Sequence, residues 1–531
     1  MKYLNLFICI IISFAAANLF GQNKSGITTY KNPIIHADLS DPDVIRVGDD
    51  FYMIASSFSA VPALPILHSK DLVNWHIISY ALQQLQPIAL FDKPQHGNGV
   101  WAPAIRFHKN EFYIFYPDPD QGIFMIKSKS ILGPWSAPIL VEAGKGLIDP
   151  CPFWDTDGKV YLVHAYAGSR AGFKSILVLK QLNSTSEKVI GNGILIYDGH
   201  DIDPTIEGPK IYKRNQYYYV FAPAGGVETG WQTVLRSKQL TGPYERKIVM
   251  GQGASKINGP HQGAWVQLKN GEDWFLHFQD KGAYGRIVHL QPMQWKQDWP
   301  VIGSDADGDG TGEPVMKFNK PKTEISSSNF SIQVSDEFDT GQLGLQWQWQ
   351  ANPKPGWAFC YPAKGALRLN AVLQADSSKN LWGLPNMLLQ KLPAENFEST
   401  LKFSFKSKTI GERFGFIVMG RDYAYLSLLK KEDGNYITFN TCIAADNNAA
   451  EIEKVISKID SEVFYFRIQV NAGAICSFKY SEDGKVFETV PEKFTAKAGK
   501  WIGAKMGFFS NRILKTNDAG FADLDWLRIT K

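Results

Sequence analysis

The sequence predicts an all-β protein in which a five-bladed β-propeller is followed by an antiparallel β-sandwich. Three observations predict this: aromatic strand-like segments recur five times, a hydrophilic stretch follows them, and short alternating apolar and polar segments fill the remainder. Helical periodicity is almost absent, which argues against an α/β barrel. We expect the propeller at residues 28–315, a linker at 316–333 and the sandwich at 334–531.

The repeat is clearest where a turn signal is followed by a cluster of aromatic and β-branched residues. These clusters lie at 51–54, 112–115, 160–163, 217–220 and 274–276. Such residues favour strands, and units of several short strands with a period of about 50 residues are typical of propeller blades. Segments such as 401–405 and 465–470 alternate apolar and polar residues, which predicts the strands of an antiparallel sandwich.

The N-terminus has the pattern of a signal peptide. Lys2 is followed by an apolar run over 4–20, which is short for a membrane span. We therefore expect residues 1–21 to be removed on export and the mature protein to be periplasmic or secreted. No later segment is apolar enough to span a membrane.

Charge and motifs exclude several classes of function. Lysine and arginine number 56 against 52 aspartates and glutamates, giving a net charge of +4. This balance argues against nucleic acid or an anionic membrane as the main partner. The chain has no Gly-rich phosphate loop and no Gly-x-Ser-x-Gly, so nothing indicates a nucleotide cofactor or a serine nucleophile. The sequence does not predict an oligomeric state.

Three acidic residues occupy equivalent places in successive repeats. Asp41 lies in Leu-Ser-Asp-Pro-Asp, Asp149 in Leu-Ile-Asp-Pro-Cys and Glu207 in Thr-Ile-Glu-Gly-Pro, each shortly before an aromatic segment. Carboxylates at one level of a repeat fold can converge on its axis. Glycoside hydrolysis needs one protonated and one ionised carboxyl group, and a third can raise the pKa of the acid. We interpret the flanking Asp38 and Asp43 as turn or rim residues.

Together with further motifs, these segments resemble glycoside hydrolase family 43. The resemblance covers roughly residues 30–315 and rests on Asn32-Pro33-Ile34, Ser40-Asp41-Pro42-Asp43, Val100-Trp101-Ala102-Pro103, Ile148-Asp149-Pro150 and Ile206-Glu207-Gly208-Pro209. It implies a five-bladed propeller and hydrolysis with inversion. The C-terminal part, with Ser335-Asp336-Glu337-Phe338, is similar to the concanavalin-like (jelly-roll) sandwich of the family's β-xylosidase branch.

The resemblance implies a role for each acid. Asp41 matches the general base, Glu207 the general acid, and Asp149 the residue that tunes and orients this acid. Inversion requires room for a water molecule, so the carboxyl groups of Asp41 and Glu207 should lie about 6.5–9.5 Å apart.

Four other residues match family positions. Trp101 matches a residue that stacks on the sugar, Phe58 an apolar wall, and Arg286 an arginine that bonds sugar hydroxyls. His261 matches an axial histidine beside a calcium ion held mostly by water. This calcium would be structural, and no cofactor is required for the chemistry. We interpret the acidic stretch 305–309 as a solvated turn, since a complete calcium loop would need a glutamate where Met316 stands.

The sequence therefore predicts an exo-β-xylosidase acting on β-1,4-xylo-oligosaccharides or xylan from plant cell walls. In relatives the sandwich lends a loop to the pocket mouth. One alternative is an α-L-arabinofuranosidase that debranches arabinoxylan, arabinan or pectin, because the family uses the same acids for both. The stretch after Phe58 also lacks the extra aromatic residue of better-known β-xylosidases. A second alternative is a carbohydrate-binding protein without turnover.

Overall fold

The fold is built almost entirely from β-strands. The computed structural model describes residues 28–325, 327, 329–374 and 379–531, so the predicted signal peptide at 1–21 lies outside the described residues. Within the described residues, no helix is long and apolar enough to cross a membrane. The α-helices α1 (Ile88–Phe91) and α2 (Gly168–Ala171) are single turns. Short 3₁₀ turns occupy Gly282–Tyr284, Pro362–Lys364, Leu381–Gly383 and Ala445–Asn447.

Five four-stranded antiparallel sheets follow the short strand β1 (Thr29–Lys31), each with its strands paired in chain order. The strands are β2 (Asp43–Val47), β3 (Asp50–Ile54), β4 (Ala63–Ser69) and β5 (His76–Leu82); β6 (Ala104–His108), β7 (Glu111–Asp118), β8 (Gly122–Ser128) and β9 (Ile139–Ala143); β10 (Leu147–Trp154), β11 (Val160–Tyr166), β12 (Ile176–Leu182) and β13 (Val189–Asp198); β14 (Lys210–Arg214), β15 (Tyr217–Ala224), β16 (Trp231–Ser237) and β17 (Glu245–Met250); and β18 (His261–Gln267), β19 (Asp273–Asp280), β20 (Arg286–Lys296) and β21 (Trp299–Ile302).

The five-bladed propeller predicted from the repeat is confirmed. Every aromatic cluster forms part of the second strand of its sheet, namely β3, β7, β11, β15 or β19. A second strand is paired on both sides, and its two faces pack against neighbouring blades. Phe115 and Tyr219, for example, have no exposed surface. Large aromatic side chains at these positions therefore supply the apolar contact between blades.

The first strands of the blades surround the axis of the propeller. Strand β2 lies beside β18 and β6, and β10 lies beside β6 and β14. Since each of these strands starts a blade in the same way, the residues that precede them lie at the same end of the axis. A short ribbon formed by β1 and β22 (Lys317–Asn319) joins the first and last parts of this domain.

The C-terminal domain consists of two large antiparallel sheets, which confirms the predicted sandwich. One sheet has the order β23-β27-β36-β29-β30-β31-β32, with β26 parallel to β36, and the other β24-β25-β37-β28-β33-β34-β35. The strands are β23 (Gln348–Trp349), β24 (Ala358–Tyr361), β25 (Ala366–Asn370), β26 (Val372–Leu373), β27 (Leu388–Lys391), β28 (Phe397–Lys406), β29 (Arg413–Met419), β30 (Tyr423–Lys431), β31 (Gly434–Cys442), β32 (Ile452–Ile459), β33 (Val463–Asn471), β34 (Ile475–Ser481), β35 (Glu488–Thr495), β36 (Lys505–Arg512) and β37 (Phe521–Thr530).

Phenylalanine rings fill the space between the two sheets. Phe403 is fully buried, and its ring centroid lies 4.6 Å from that of Phe414 and 4.9 Å from that of Phe466. On β28 the buried and partly exposed residues alternate strictly over most of the strand. This alternation is the period of two that the sequence shows, and it places one face of the strand in the core.

The two domains are joined by specific polar contacts as well as apolar ones. The side chain of Asn352 accepts a hydrogen bond from the Leu85 amide and donates one to the Leu85 carbonyl, both at 2.9 Å. Val61 pairs with Trp349 in a β-bridge, and the Tyr284 hydroxyl accepts a hydrogen bond from the Ala474 amide at 2.9 Å. Strand β22 falls inside the predicted linker; the domain boundaries themselves stay a prediction.

Replacing Phe403 by alanine should destabilise the sandwich strongly. The substitution removes a fully buried ring, so we expect the free energy of unfolding to fall by about 3–5 kcal/mol. Phe359→Ala, at a side chain that is 55% exposed on β24, should change it far less. Denaturant unfolding of the two variants checks this, and equal losses would contradict the assignment of Phe403 to the core.

Candidate active site

Asp41 lies just before β2, at the end of the axis where the blades begin. Its backbone is in the left-handed region, with φ of 56°, a conformation that aspartate tolerates better than most residues. The side chain is only 4% exposed. Ser56 donates a hydrogen bond to its Oδ2 at 2.5 Å, and Arg286 Nη1 donates to its Oδ1 at 3.1 Å. Both carboxylate oxygens of Asp41 therefore accept a hydrogen bond, and one of the two donors is a guanidinium.

Asp149 occupies an irregularity in β10. The register with β11 shifts between Ile148 and Cys151, and the φ of Asp149 is 56°. A bulge of this kind re-aims a side chain out of the regular alternation. Asp149 Oδ2 accepts a hydrogen bond from the Gly208 amide at 2.7 Å. Because Gly208 directly follows Glu207, Asp149 fixes the backbone that carries this glutamate.

Glu207 is held by an anchored turn before β14. Its amide donates to the carbonyl of Pro223 at 3.0 Å. Four residues earlier, Asp203 is fully buried and accepts two hydrogen bonds from Arg246, at 2.8 and 2.7 Å, as well as one from the Trp231 indole at 3.0 Å. The Ile206 amide donates to the Asp203 carbonyl. The turn is therefore rigid, while the Glu207 side chain keeps 30% of its surface exposed.

The electrostatics of the trio favour a proton on Glu207. Burial, followed by the negative charges of Asp149 and Asp41, raises the pKa of Glu207 to about 8. Burial also raises the pKa of Asp149, and the charge of Asp41 adds to this, while the Gly208 hydrogen bond opposes it. Like charges in a shared site disfavour simultaneous ionisation. At neutral pH this environment retains the proton on Glu207, as a general acid requires.

Arg286 begins β20 and is the cation nearest to the base. The residue is 8% exposed, and its guanidinium lies 4.8 Å from the centre of the Phe278 ring. A buried charge of this kind must be paired, and Asp41 supplies the partner. The structure therefore places Arg286 next to Asp41; its predicted contact with sugar hydroxyls stays a prediction.

His261 lies at the start of β18 and is fully buried. Its Nε2 is 3.7 Å from Glu207 Oε1. Burial, with a contribution from Arg286, lowers the pKa of His261 to about 3, so the ring is neutral and forms no ion pair. Within the described residues, neither ring nitrogen has a hydrogen-bond partner.

The calcium ion expected beside His261 stays a prediction. Calcium takes six to eight oxygen ligands, and a neutral imidazole nitrogen is a poor substitute. Among the described residues, the cluster of metal-ligating side chains is Asp305, Asp307 and Asp309, not a group around His261. Asp305 is bound by Lys296 at 2.7 Å, and the other two are exposed.

Two aromatic residues that the sequence singled out lie side by side. Phe58 has φ of 51° and is only 3% exposed, so it offers little surface to a sugar. Its ring lies 6.2 Å from that of the half-buried Trp101. The Trp101 indole donates to the Gly97 carbonyl at 2.8 Å, and the Arg170 guanidinium lies 5.3 Å from its ring centre. Phe58 thus supports Trp101, and the predicted sugar contacts of both stay predictions.

The sandwich contributes a residue that the sequence did not single out. Trp501 lies in the loop between β35 and β36, has φ of 66° and is 45% exposed. Its ring is 6.0 Å from that of Trp101. This contact agrees with the expectation that a sandwich loop reaches the pocket mouth. Exposed aromatic surface beside Trp101 suits a sugar ring, which has apolar faces.

The structure corrects the interpretation of Asp38 and Asp43, which are buried and not rim residues. Asp43 has no exposed surface and accepts hydrogen bonds from Arg106 at 2.6 Å and from the Ile105 amide at 2.8 Å. Asp38 is 4% exposed. Local sequence did not reveal either role, because distant partners bind both aspartates: another blade binds Asp43, and the last blade and the sandwich bind Asp38.

Comparisons with known proteins agree with this geometry. Residues 30–300 match the model for Glycosyl hydrolases family 43, and residues 335–530 match the Beta xylosidase C-terminal Concanavalin A-like domain. The chain belongs to glycosyl hydrolase family 43. It is therefore a glycosidase, and this family requires no cofactor for catalysis.

Individual relatives extend over nearly the whole chain. A putative beta-xylosidase of Xylanibacter ruminicola is 36% identical over 495 residues, covering 93% of this chain and 88% of the relative. A non-reducing end alpha-L-arabinofuranosidase of Bacteroides ovatus is 30% identical, covering 80% and 79%. Among solved structures, a family 43 protein from Bacillus licheniformis superposes with a TM-score of 0.80 at 27% identity, covering 94% of this chain and 99% of that one.

Glu207→Gln should abolish proton donation while leaving the fold intact. We expect kcat to fall about 10²–10⁴-fold on substrates with a poor leaving group, because general acid catalysis contributes that much. A substrate whose leaving group needs no proton, such as a dinitrophenyl glycoside, should lose much less. Glu245→Gln, on β17 of the same blade with a side chain that is 65% exposed, is the matched control. Equal losses on both leaving groups would rule out the acid role.

Asp149→Asn should shift the alkaline limb of the pH profile. In the native enzyme kcat/KM should fall as pH rises through about 8, where Glu207 loses its proton. Removing the neighbouring negative charge lowers the pKa of Glu207, so we expect the limb to move to lower pH by about one unit. Profiles of kcat/KM against pH for both proteins check this; a limb that stays in place or moves upward would contradict it.

Proposed function

We propose that the protein is an exported, inverting exo-β-xylosidase that removes xylose from β-1,4-xylo-oligosaccharides or xylan. The observation that carries this proposal is that two carboxyl groups of one site have opposite surroundings. Arg286 and Ser56 donate hydrogen bonds to Asp41, whereas burial and negative neighbours raise the pKa of Glu207 and keep its proton in place. An ionised base and a protonated acid are what hydrolysis with inversion needs.

The chemistry then follows in one displacement. The Asp41 carboxylate takes a proton from a water molecule, whose oxygen forms a bond to the anomeric carbon. Glu207 gives its proton to the glycosidic oxygen as the bond from this oxygen to the anomeric carbon breaks. The sugar leaves with inverted configuration, Asp41 ends protonated and Glu207 ends ionised. Exchange of protons with water restores both groups. Asp149 keeps Glu207 oriented through the Gly208 amide.

The sandwich supports exo-action. The loop that carries Trp501 lies against Trp101 and packs closely on Gly97, where an added Cβ would lie 3.0 Å from Trp501 Cδ1. A second domain at this mouth of the propeller limits how far a polysaccharide can extend past the site. A pocket that is closed on one side has room for the terminal sugar of a chain. This shape suits the release of single sugars from short oligosaccharides.

An α-L-arabinofuranosidase is the second candidate, and one observation favours it. The residues that follow Phe58 are small and buried, namely Ser59 and Ala60, so this segment does not supply the extra aromatic residue expected of a xylosidase. The relatives named above carry both activities in their names. Export remains part of the proposal and rests on the sequence of residues 1–21.

Paired aryl glycosides separate the candidates. The purified protein without residues 1–21 is assayed on 4-nitrophenyl β-D-xylopyranoside and on 4-nitrophenyl α-L-arabinofuranoside, with natural xylobiose and an arabinan oligosaccharide in parallel. The proposal predicts a higher kcat/KM on the xyloside and release of xylose from xylobiose. Turnover of the arabinosides alone would move the assignment to debranching. Polysaccharide binding without turnover, and unchanged in Glu207→Gln, would indicate a binding protein.

A further inference from the structure

The buried carboxylate of Asp38 lies where three separate chain segments meet. Its Oδ1 accepts a hydrogen bond from the Arg286 amide at 2.9 Å, and its Oδ2 accepts one from the Gly503 amide at 3.1 Å. Arg286 belongs to the last blade of the propeller, and Gly503 belongs to the sandwich. One side chain therefore binds both domains through two different oxygens.

The packing around this carboxylate leaves no spare room. A Cβ added at Gly285 would lie 2.4 Å from Asp38 Cγ, and a Cβ added at Gly503 would lie 2.6 Å from the Gly285 nitrogen. Real Cβ atoms do not approach other atoms so closely. Next to this contact, the Ala504 amide donates to the Ala283 carbonyl at 2.7 Å. The two glycines thus let the sandwich loop lie directly on the backbone that precedes Arg286.

Each of the two hydrogen bonds leads to a different part of the active site. The amide of Arg286 fixes the start of β20, and the guanidinium of the same residue holds Asp41. The amide of Gly503 fixes the loop whose Trp501 reaches Trp101. Among the described residues, the hydrogen bonds of Asp38 go to Ser40, Arg286 and Gly503 and not to the three acids, so its effect on catalysis must pass through these neighbours.

A negative charge suits this position better than a neutral amide. Arg286 and Gly503 donate through backbone N–H groups, and a carboxylate can accept from both; the Ser40 hydroxyl also donates to Oδ1, at 3.4 Å. An asparagine would turn its NH₂ group towards one of them and leave that donor unsatisfied. The charge of Asp38 also acts on two lysines of the sandwich, the partly buried Lys391 and the buried Lys505: burial lowers the pKa of each, and Asp38 opposes this change.

We propose that Asp38 is a positioning residue that couples the sandwich loop 499–503 to the catalytic base through Arg286. Asp38 thereby sets the distance between the Trp501 ring and the Asp41 carboxylate. The sandwich is then part of the catalytic machinery and not only an attached domain. The proposal rests on the proposed glycosidase function for its kinetic consequences, but its structural consequence can be measured without turnover.

The test compares three variants of the full two-domain chain. Asp38→Asn removes one of the two acceptors, and Gly503→Ala disturbs the same contact from the sandwich side. Asn352→Asp is the matched control, because it changes a buried side chain (2% exposed) that also bonds across the domain interface, to Leu85, away from the three acids. We expect kcat/KM on aryl xyloside to fall at least about tenfold in each of the first two variants, since small displacements of catalytic groups are costly.

A double variant strengthens the comparison. If Asp38 and Gly503 act through one contact, the double variant Asp38→Asn/Gly503→Ala should have a kcat/KM close to that of the less active single variant. The reason is that effects within one interaction are not additive. Asn352→Asp should lower the melting temperature with kcat/KM per folded enzyme unchanged. For Asp38→Asn we expect both kcat and the affinity for the product xylose to fall, because Asp41 and Trp501 are displaced together.

Deuterium exchange gives a readout that does not depend on activity. Peptides covering 281–287 and 497–504 should exchange faster in Asp38→Asn than in the native chain, and remain protected in Asn352→Asp. Unchanged exchange in both peptides of Asp38→Asn would overturn the proposal. Faster exchange with unaltered kcat/KM and xylose affinity would also overturn it, because Asp38 would then have a structural role only. Inactivity of the native chain on every glycoside would instead refute the proposed function. In that case, deuterium exchange and the affinity for xylose, measured together, would still decide the role of Asp38.

Discussion

The repulsion among three carboxyl groups at one end of the propeller axis is the constraint on which the site depends. Among the described residues, Arg286 is the lysine or arginine in ion-pair contact with the trio, and it binds Asp41. Removing charges from water is costly unless they are paired, so the unpaired members of the trio retain protons more readily. The asymmetry of the partners therefore agrees with the proposed roles, with Asp41, which is paired, as the base and Glu207, which is not, as the acid.

The fold supplies this constraint by repetition. Each blade begins with a strand at the axis, and the segments before β2 and β14 and at the start of β10 each present one acid. Regular strand geometry alone would not aim these side chains inward. The left-handed backbone at Asp41 and Asp149 and the bulge in β10 provide the local change of direction, in keeping with the tendency of unusual backbone conformations to occur at functional sites.

The sequence was sufficient to predict the propeller and the sandwich and to single out the acidic trio, because each depends on local patterns. Aromatic clusters mark the second strands, and the acids lie in turn motifs at a fixed place in the repeat. It was not sufficient for Asp38, Ser56 or Trp501. Asp38 bonds residues 248 and 465 positions away, and Trp501 reaches Trp101 from another domain. Local patterns cannot reveal such contacts, because they arise only when the blades close and the domains pack together.

The stereochemistry of the first product tests the central claim most directly. Proton NMR of the reaction on a β-xyloside, followed from the first turnovers before mutarotation, identifies the anomer that is released. The account predicts α-xylose first, because Asp41 activates a water molecule that attacks from the face opposite the leaving group. β-Xylose as the first product would contradict it, since retention would require a carboxylate of the trio to act as a nucleophile and not as a base.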